Sequence, residues 1–172
     1  MIASPKHLVG VKAFTLLELI LVMIIMCTVL AMAAPSLRGF FSSHQLGDIA
    51  EQILIMTRYS KIQSVFESRP FRVNIDPNLR RYWISSLGES QYKRLKTNYG
   101  NYFLIPADIE IDFKDMDKED GIYYFQFNPE GYSKEARLRL EDKQDNVLEV
   151  VCRNPAENYE IIKIANGKEY DY

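Results

Sequence analysis

Residues 14–34 read FTLLELILVMIIMCTVLAMAA, and this stretch decides the fold. Only Thr15, Glu18, Cys27 and Thr28 interrupt or soften its apolar run. At about 1.5 Å of rise per residue it makes a helix of roughly 31 Å, close to the hydrocarbon thickness of one bilayer. A single membrane span is therefore expected. Ahead of it, residues 1–13 hold Lys6, His7 and Lys12 and no acid. Basic flanks stay cytoplasmic, so the chain beyond the span is expected to be exported. Glu18 is the odd residue. An ionised side chain inside a span costs about 2.5–3.5 kcal/mol even on lenient insertion scales. Either Glu18 snorkels to the interface or it meets a positive partner. Two simpler readings compete for the segment. One is a plain signal anchor. The other is a secretory signal peptide cut at Ala31-Met32-Ala33. Against the second, the run exceeds the usual apolar core of about 7–15 residues, and Glu18 interrupts its start.

Downstream, residues 36–68 lack proline. Leu46, Ile49, Ile53 and Met56 recur at spacings of three or four, and Ile55, Tyr59, Ile62 and Phe66 form a second row. Together they predict an amphipathic helix with a wide apolar stripe, continuous with the span and packed on a sheet. Pro70 is expected to end it. From residue 70 the period becomes two. Strands are expected at Phe71–Asp76 and Tyr82–Leu87 around a Pro77-Asn78 turn, and at Ile109–Phe113. A further one at Ile122–Phe127 is closed by Asn128-Pro129-Glu130-Gly131. Arg137–Leu140, Val147–Cys152 and Tyr159–Ile164 complete about seven strands. No helical stretch intervenes, so the sheets should be antiparallel and the class α+β.

The chain has 172 residues, with 21 Lys and Arg against 23 Asp and Glu, a net charge of −2. That balance argues against a protein that grips nucleic acid by bulk charge. Residues 88–120 carry a basic stretch followed by an acidic one. Their basic first part, with Tyr92, Tyr99 and Tyr102 interleaved, reads either as a nucleic-acid patch or as a solvated loop, and the loop is preferred. Asp115, Asp117, Glu119 and Asp120 lack the spacing of a calcium loop and read as a solvated turn. No nucleophile elbow, phosphate-binding glycine loop or zinc-protease helix is present. Only His7 and His44 offer imidazoles, so no catalytic residue, metal site or cofactor is expected. Cys27 and Cys152, one in the span and one in an exported sheet, lie beyond disulfide reach and are read as small hydrophobes.

Lys12-Ala13-Phe14-Thr15-Leu16-Leu17-Glu18 resembles the leader junction of type IV pilins and pseudopilins. The resemblance implies that a prepilin peptidase cuts between Ala13 and Phe14 and that Phe14 is then N-methylated. Glu18 matches the family's acidic residue, and Pro35 matches its helix-kinking proline. Ala13 stands where the family nearly always has Gly. Glu18 would then face the N-terminal ammonium of a neighbouring subunit and set axial register. The hairpin PFRVNIDPNLRRYWI and the later FNPEG turn are similar to the H-type minor pseudopilins (GspH/FimT-like) of type II secretion systems. The implied organisation is a cleaved leader 1–13, a transmembrane and assembly helix 14–35 and its amphipathic continuation 36–69. A periplasmic β-rich domain, 70–172, follows, and residues 88–120, which the resemblance does not cover, look like a variable insertion in it. The implied protein is a single-pass inner-membrane subunit of a short filament, pilin-like in fold, that supports protein export. Its partners would be other pseudopilins or pilins, the prepilin peptidase and inner-membrane lipid, with no nucleic acid. The alternatives are a minor type IV pilin for adhesion, motility or DNA uptake, or a membrane-anchored exported binding module.

Overall fold

The computed structural model describes residues 14–165 and 167–171, without the side chains of residues 33–43. It divides into two units at Arg38 and Gly39. The leader 1–13, with the expected cleavage residue Ala13, lies outside the described residues, and so does the side chain of Pro35 with its expected kink.

One helix, α1 (Leu16–Phe66), runs from the first unit into the second. Its end is set by local geometry ahead of Pro70. Ser68 adopts a left-handed φ of 50°, the Ser68 amide bonds the Val65 carbonyl at 3.3 Å, and the Arg69 amide bonds the Ser64 carbonyl at 3.2 Å. This is a Schellman closure, here with serine in the place that glycine usually takes.

Two antiparallel sheets follow. The first has the order β3 (Tyr92–Arg94), β2 (Arg81–Leu87), β1 (Phe71–Asp76), β7 (Ile122–Phe127) and β6 (Asp117–Glu119), with β4 (Phe103–Leu104) also beside β2. The second runs β11 (Lys168–Asp171), β10 (Glu160–Ala165), β9 (Val147–Cys152), β8 (Ala136–Glu141) and β5 (Glu110–Lys114). The chain thus changes sheets three times, between β4 and β5, between β5 and β6 and between β7 and β8. A short 3₁₀ turn, Asn98–Gly100, precedes β4. All seven expected strands are present within a residue or so of their expected bounds.

Period-two patterning sends Phe71, Val73 and Ile75 of β1, Tyr82 and Ile84 of β2, and Phe125 and Phe127 of β7 inward. They share one core with Leu138, Leu140, Leu148, Val150 and Cys152 of the second sheet and with Leu46, Ile49, Ala50, Ile53 and Met56 of α1. Cys152 is buried, as expected of a small hydrophobe, while Cys27 is exposed.

Two expectations are corrected. The second apolar row of α1 is not part of the packed face. Ile55, Ile62 and Phe66 are 49%, 66% and 82% exposed, and only Tyr59 of that row packs against the core. Instead α1 buries Thr57, Ser60 and Ser64, whose small side chains let the helix lie close. Nor are residues 88–120 a solvated loop and turn. Four strands, β3 to β6, and the 3₁₀ turn lie among them, and the Tyr99 ring packs on that of Tyr59 of α1 at 4.6 Å. Asp117 and Glu119 belong to strand β6, flanked by left-handed turns at Asp115 and Asp120.

The FNPEG turn closes against the end of α1. Ser64 Oγ donates to the Asn128 carbonyl at 3.0 Å, and the Gly131 amide bonds the Asn128 carbonyl at 2.9 Å. Gly131 has φ of +80°, and a Cβ built there would lie 3.4 Å from a Val65 methyl. Glycine is needed for the turn rather than for space.

Candidate functional site

The site the sequence points to is the start of α1. Thr15 is its N-cap. Its Oγ1 accepts the Glu18 amide at 3.2 Å, and its carbonyl accepts the Leu19 amide at 3.2 Å. Thr15-Leu16-Leu17-Glu18 is therefore a capping-box sequence, with the acid at the third helical position. A carboxylate in the first turn also complements the positive end of the helix dipole. This second job of Glu18 was readable from the T-x-x-E spacing and was missed. Phe14 is 75% exposed just ahead of the cap. The structure so brings Phe14, Thr15 and Glu18 together at one helix end, next to the undescribed Ala13. Pro35 lies far along α1 from that cluster.

The described part of the apolar run has no covered side. Leu16, Leu17, Leu19, Ile20, Leu21, Val22 and every large apolar residue on to Met32 are exposed. Among the described residues no helix is long and apolar enough to cross a membrane. The described side chains of the run stop at Met32, short of the roughly 20 residues that a bilayer needs.

In the globular unit, the outer face of the first sheet is built from arginines and aromatic rings. Arg72 of β1 lies between the rings of Tyr92 and Tyr124, its guanidinium carbon 3.6 and 3.8 Å from their centroids. It also donates to Gln126 Oε1 at 3.1 Å and pairs with Glu119. Such a stack is worth about 2 kcal/mol where desolvated. Burial raises the Tyr92 phenol above its usual pKa, against the pull of Arg72. Nearby, Tyr102 lies edge-on to Trp83 at 5.2 Å and takes Arg81 and Arg94 over its ring at 4.1 and 4.7 Å. A cleft of about 440 Å³ opens between these groups, with Asn74 and Ser85 among its lining residues.

Two of the four acids of the cluster, Asp117 and Glu119, have partners. Asp117 accepts from Lys134 at 2.8 Å, a bond that raises the Lys134 pKa, and Glu119 holds Arg72. Among the described residues no three His, Cys, Asp or Glu side chains gather as a metal site.

A long helix whose second half packs against two antiparallel sheets is an α+β, pseudopilin-like fold. The structure matches that of the minor pseudopilin EpsH from the type 2 secretion system of Vibrio cholerae, with a TM-score of 0.57 and 16% sequence identity. The match covers 72% of this chain and 99% of that one. No protein-family model and no curated protein matches the chain.

Proposed function

We propose that this chain is a minor pseudopilin of the H type, a non-catalytic structural subunit of a type II secretion pseudopilus that supports protein export across the outer membrane. One observation carries the reading. A helix apolar on every side starts at a capped Thr15, one residue past Phe14, and leads into a domain with a pseudopilin-like fold. A helix with no polar face belongs in a bilayer or among other helices. On this reading residues 14–35 span the inner membrane once before assembly and pack with neighbouring pseudopilin helices after it. The domain from residue 70 lies in the periplasm. Prepilin peptidase cuts between Ala13 and Phe14, and Phe14 is N-methylated. Glu18 of one subunit faces the Phe14 ammonium of the next. In the dry filament interior the two charges cost far less paired than alone, and such a pair fixes register. The subunit uses no cofactor and binds no nucleic acid.

Intact-mass and N-terminal peptide mass spectrometry on protein from its native host tests this. A mature chain that starts at N-methylated Phe14 is the expected result. A start at Ala34 overturns it, because the assembly helix would then have been discarded. An intact leader also overturns it, leaving a plain signal anchor.

A further inference from the structure

We propose that the free edge of the first sheet binds an extended acidic segment of another polypeptide by strand addition at β3. β3 is the last strand of its sheet and pairs only with β2, in the register Leu87 to Tyr92, Ser86 to Lys93 and Ser85 to Arg94. The Gly88 amide bonds the Gln91 carbonyl at 2.9 Å, and the Leu95 amide bonds the Ile84 carbonyl at 3.1 Å. Bonded pairs alternate with non-bonded ones in an antiparallel ladder, so Ser86 and Lys93 form the bonded pair between these two. Tyr92 and Arg94 then direct their main-chain N–H and C=O groups away from β2, along the open edge. The side chains of these same two residues line the cleft on the outer face.

Charge selects the partner. Lys93, Arg94 and Lys96 are all exposed, and among the described residues none of them forms an ion pair or hydrogen bond. Three uncompensated cations on one short edge stand out in a chain whose net charge is −2. Lysines on an edge also discourage self-pairing. Arg94 goes further than that, because its guanidinium is held over the Tyr102 ring at the cleft rim.

The cleft chemistry favours a peptide over a nucleic acid. A base needs an open aromatic face. The facing rings of Tyr92 and Tyr124 are already filled by Arg72, and Tyr102 is taken by Arg81 and Arg94. An added strand needs none of those rings. Its main chain bonds the open edge, and its alternate side chains on the outer face lie beside Tyr92 and Arg94 at the cleft rim, with a carboxylate on Arg94.

The test uses the full chain in nonionic detergent and a short fluorescein-labelled peptide of alternating glutamate and valine, with its lysine-for-glutamate counterpart as control. Anisotropy should detect binding of the glutamate peptide and not of the control. Saturating peptide should slow hydrogen exchange at the Tyr92 and Arg94 amides by about tenfold or more. Arg94→Glu should weaken binding by about tenfold or more. Arg94→Gln should weaken it less, and it keeps the test valid if the reversal impairs folding. Absence of binding overturns the proposal. Binding without protection of those two amides also overturns it, since charge alone would then explain the affinity. Protection that grows with protein concentration in the peptide-free chain overturns it too, by giving the edge to a second copy. Every one of these outcomes leaves the assembly reading untouched, because neither Glu18 nor the apolar run takes part.

Discussion

Ile53 and Ile55 lie two residues apart on α1 and belong to the same apolar stripe by sequence, yet the structure assigns them opposite fates. Ile53 is fully buried in the core, and Ile55 is 49% exposed. Ile53→Ala removes about three methylene equivalents at about 0.8 kcal/mol each, or about 2.4 kcal/mol of transfer free energy. The cavity left behind brings the total to about 3–4 kcal/mol, within the range seen for such truncations. At Ile55 roughly half of that transfer term is at stake, and alanine's better helix propensity returns about 0.4 kcal/mol. The net cost there should stay below about 1 kcal/mol. Urea unfolding of the full chain in detergent measures both variants. Trp83, the only tryptophan, lies on β2 at 8% exposure and reports on the sheet that α1 covers. The denaturant slope should not change, and the midpoints should separate clearly. Equal losses for the two variants, or a larger loss for Ile55→Ala, would refute the assignment of the packed face.

The buried phenols of Tyr82 and Tyr159 are pushed above the usual value of 10.0 by desolvation. The folded chain thus keeps protons that the unfolded chain releases above that pH, so stability is full below about pH 10 and falls as pH rises beyond it. Melting curves across that range should show the fall, and Tyr82→Phe should flatten it; an unchanged slope in that variant refutes the linkage. Thr15→Ala removes the cap of α1 at a cost of about 1 kcal/mol, read as roughly fivefold faster exchange of the Glu18 amide, while Thr15→Ser should leave it near wild type. A Cβ at Gly100 would fall 2.0 Å from the Leu95 carbonyl oxygen, so Gly100→Ala forces the backbone apart. It should lower stability by about 1–3 kcal/mol in the same urea assay.

The longer elements were legible because burial imprinted a period on them. Ile122–Phe127 and Val147–Cys152 are found at their expected bounds, since each is rich in β-branched or aromatic residues and ends at clear turn signals. Of the four strands that escaped detection, Phe103–Leu104 is only two residues long, and the other three are short and polar. Tyr92–Arg94, Asp117–Glu119 and Lys168–Asp171 lie at sheet edges, with neighbours on one side only, so no alternation of buried side chains marks them. The division into two sheets was equally hidden. It depends on β1 pairing with β7 and β5 pairing with β8, partners far apart in sequence. The face of α1 was misjudged because apolar residues were counted alone, whereas a close-packed helix also spends small hydroxyl residues such as Ser60 and Ser64 on contact. At the candidate site, Phe14 and Glu18 were found through resemblance, but the Thr15 cap needed only its spacing. The Arg72 stack joins β1, β3 and β7, and no local pattern could announce it.

The junction after α1 has a mechanical meaning. Only residues 67–70 separate the helix from β1, and β1 is an inner strand bonded to β2 on one side and to β7 on the other. A pull on the helix therefore reaches the domain through a strand clasped on both flanks. Such a strand slides out only when many hydrogen bonds yield together, whereas an edge strand can be peeled away bond by bond. Tension entering from the helix meets the domain where it is hardest to unravel.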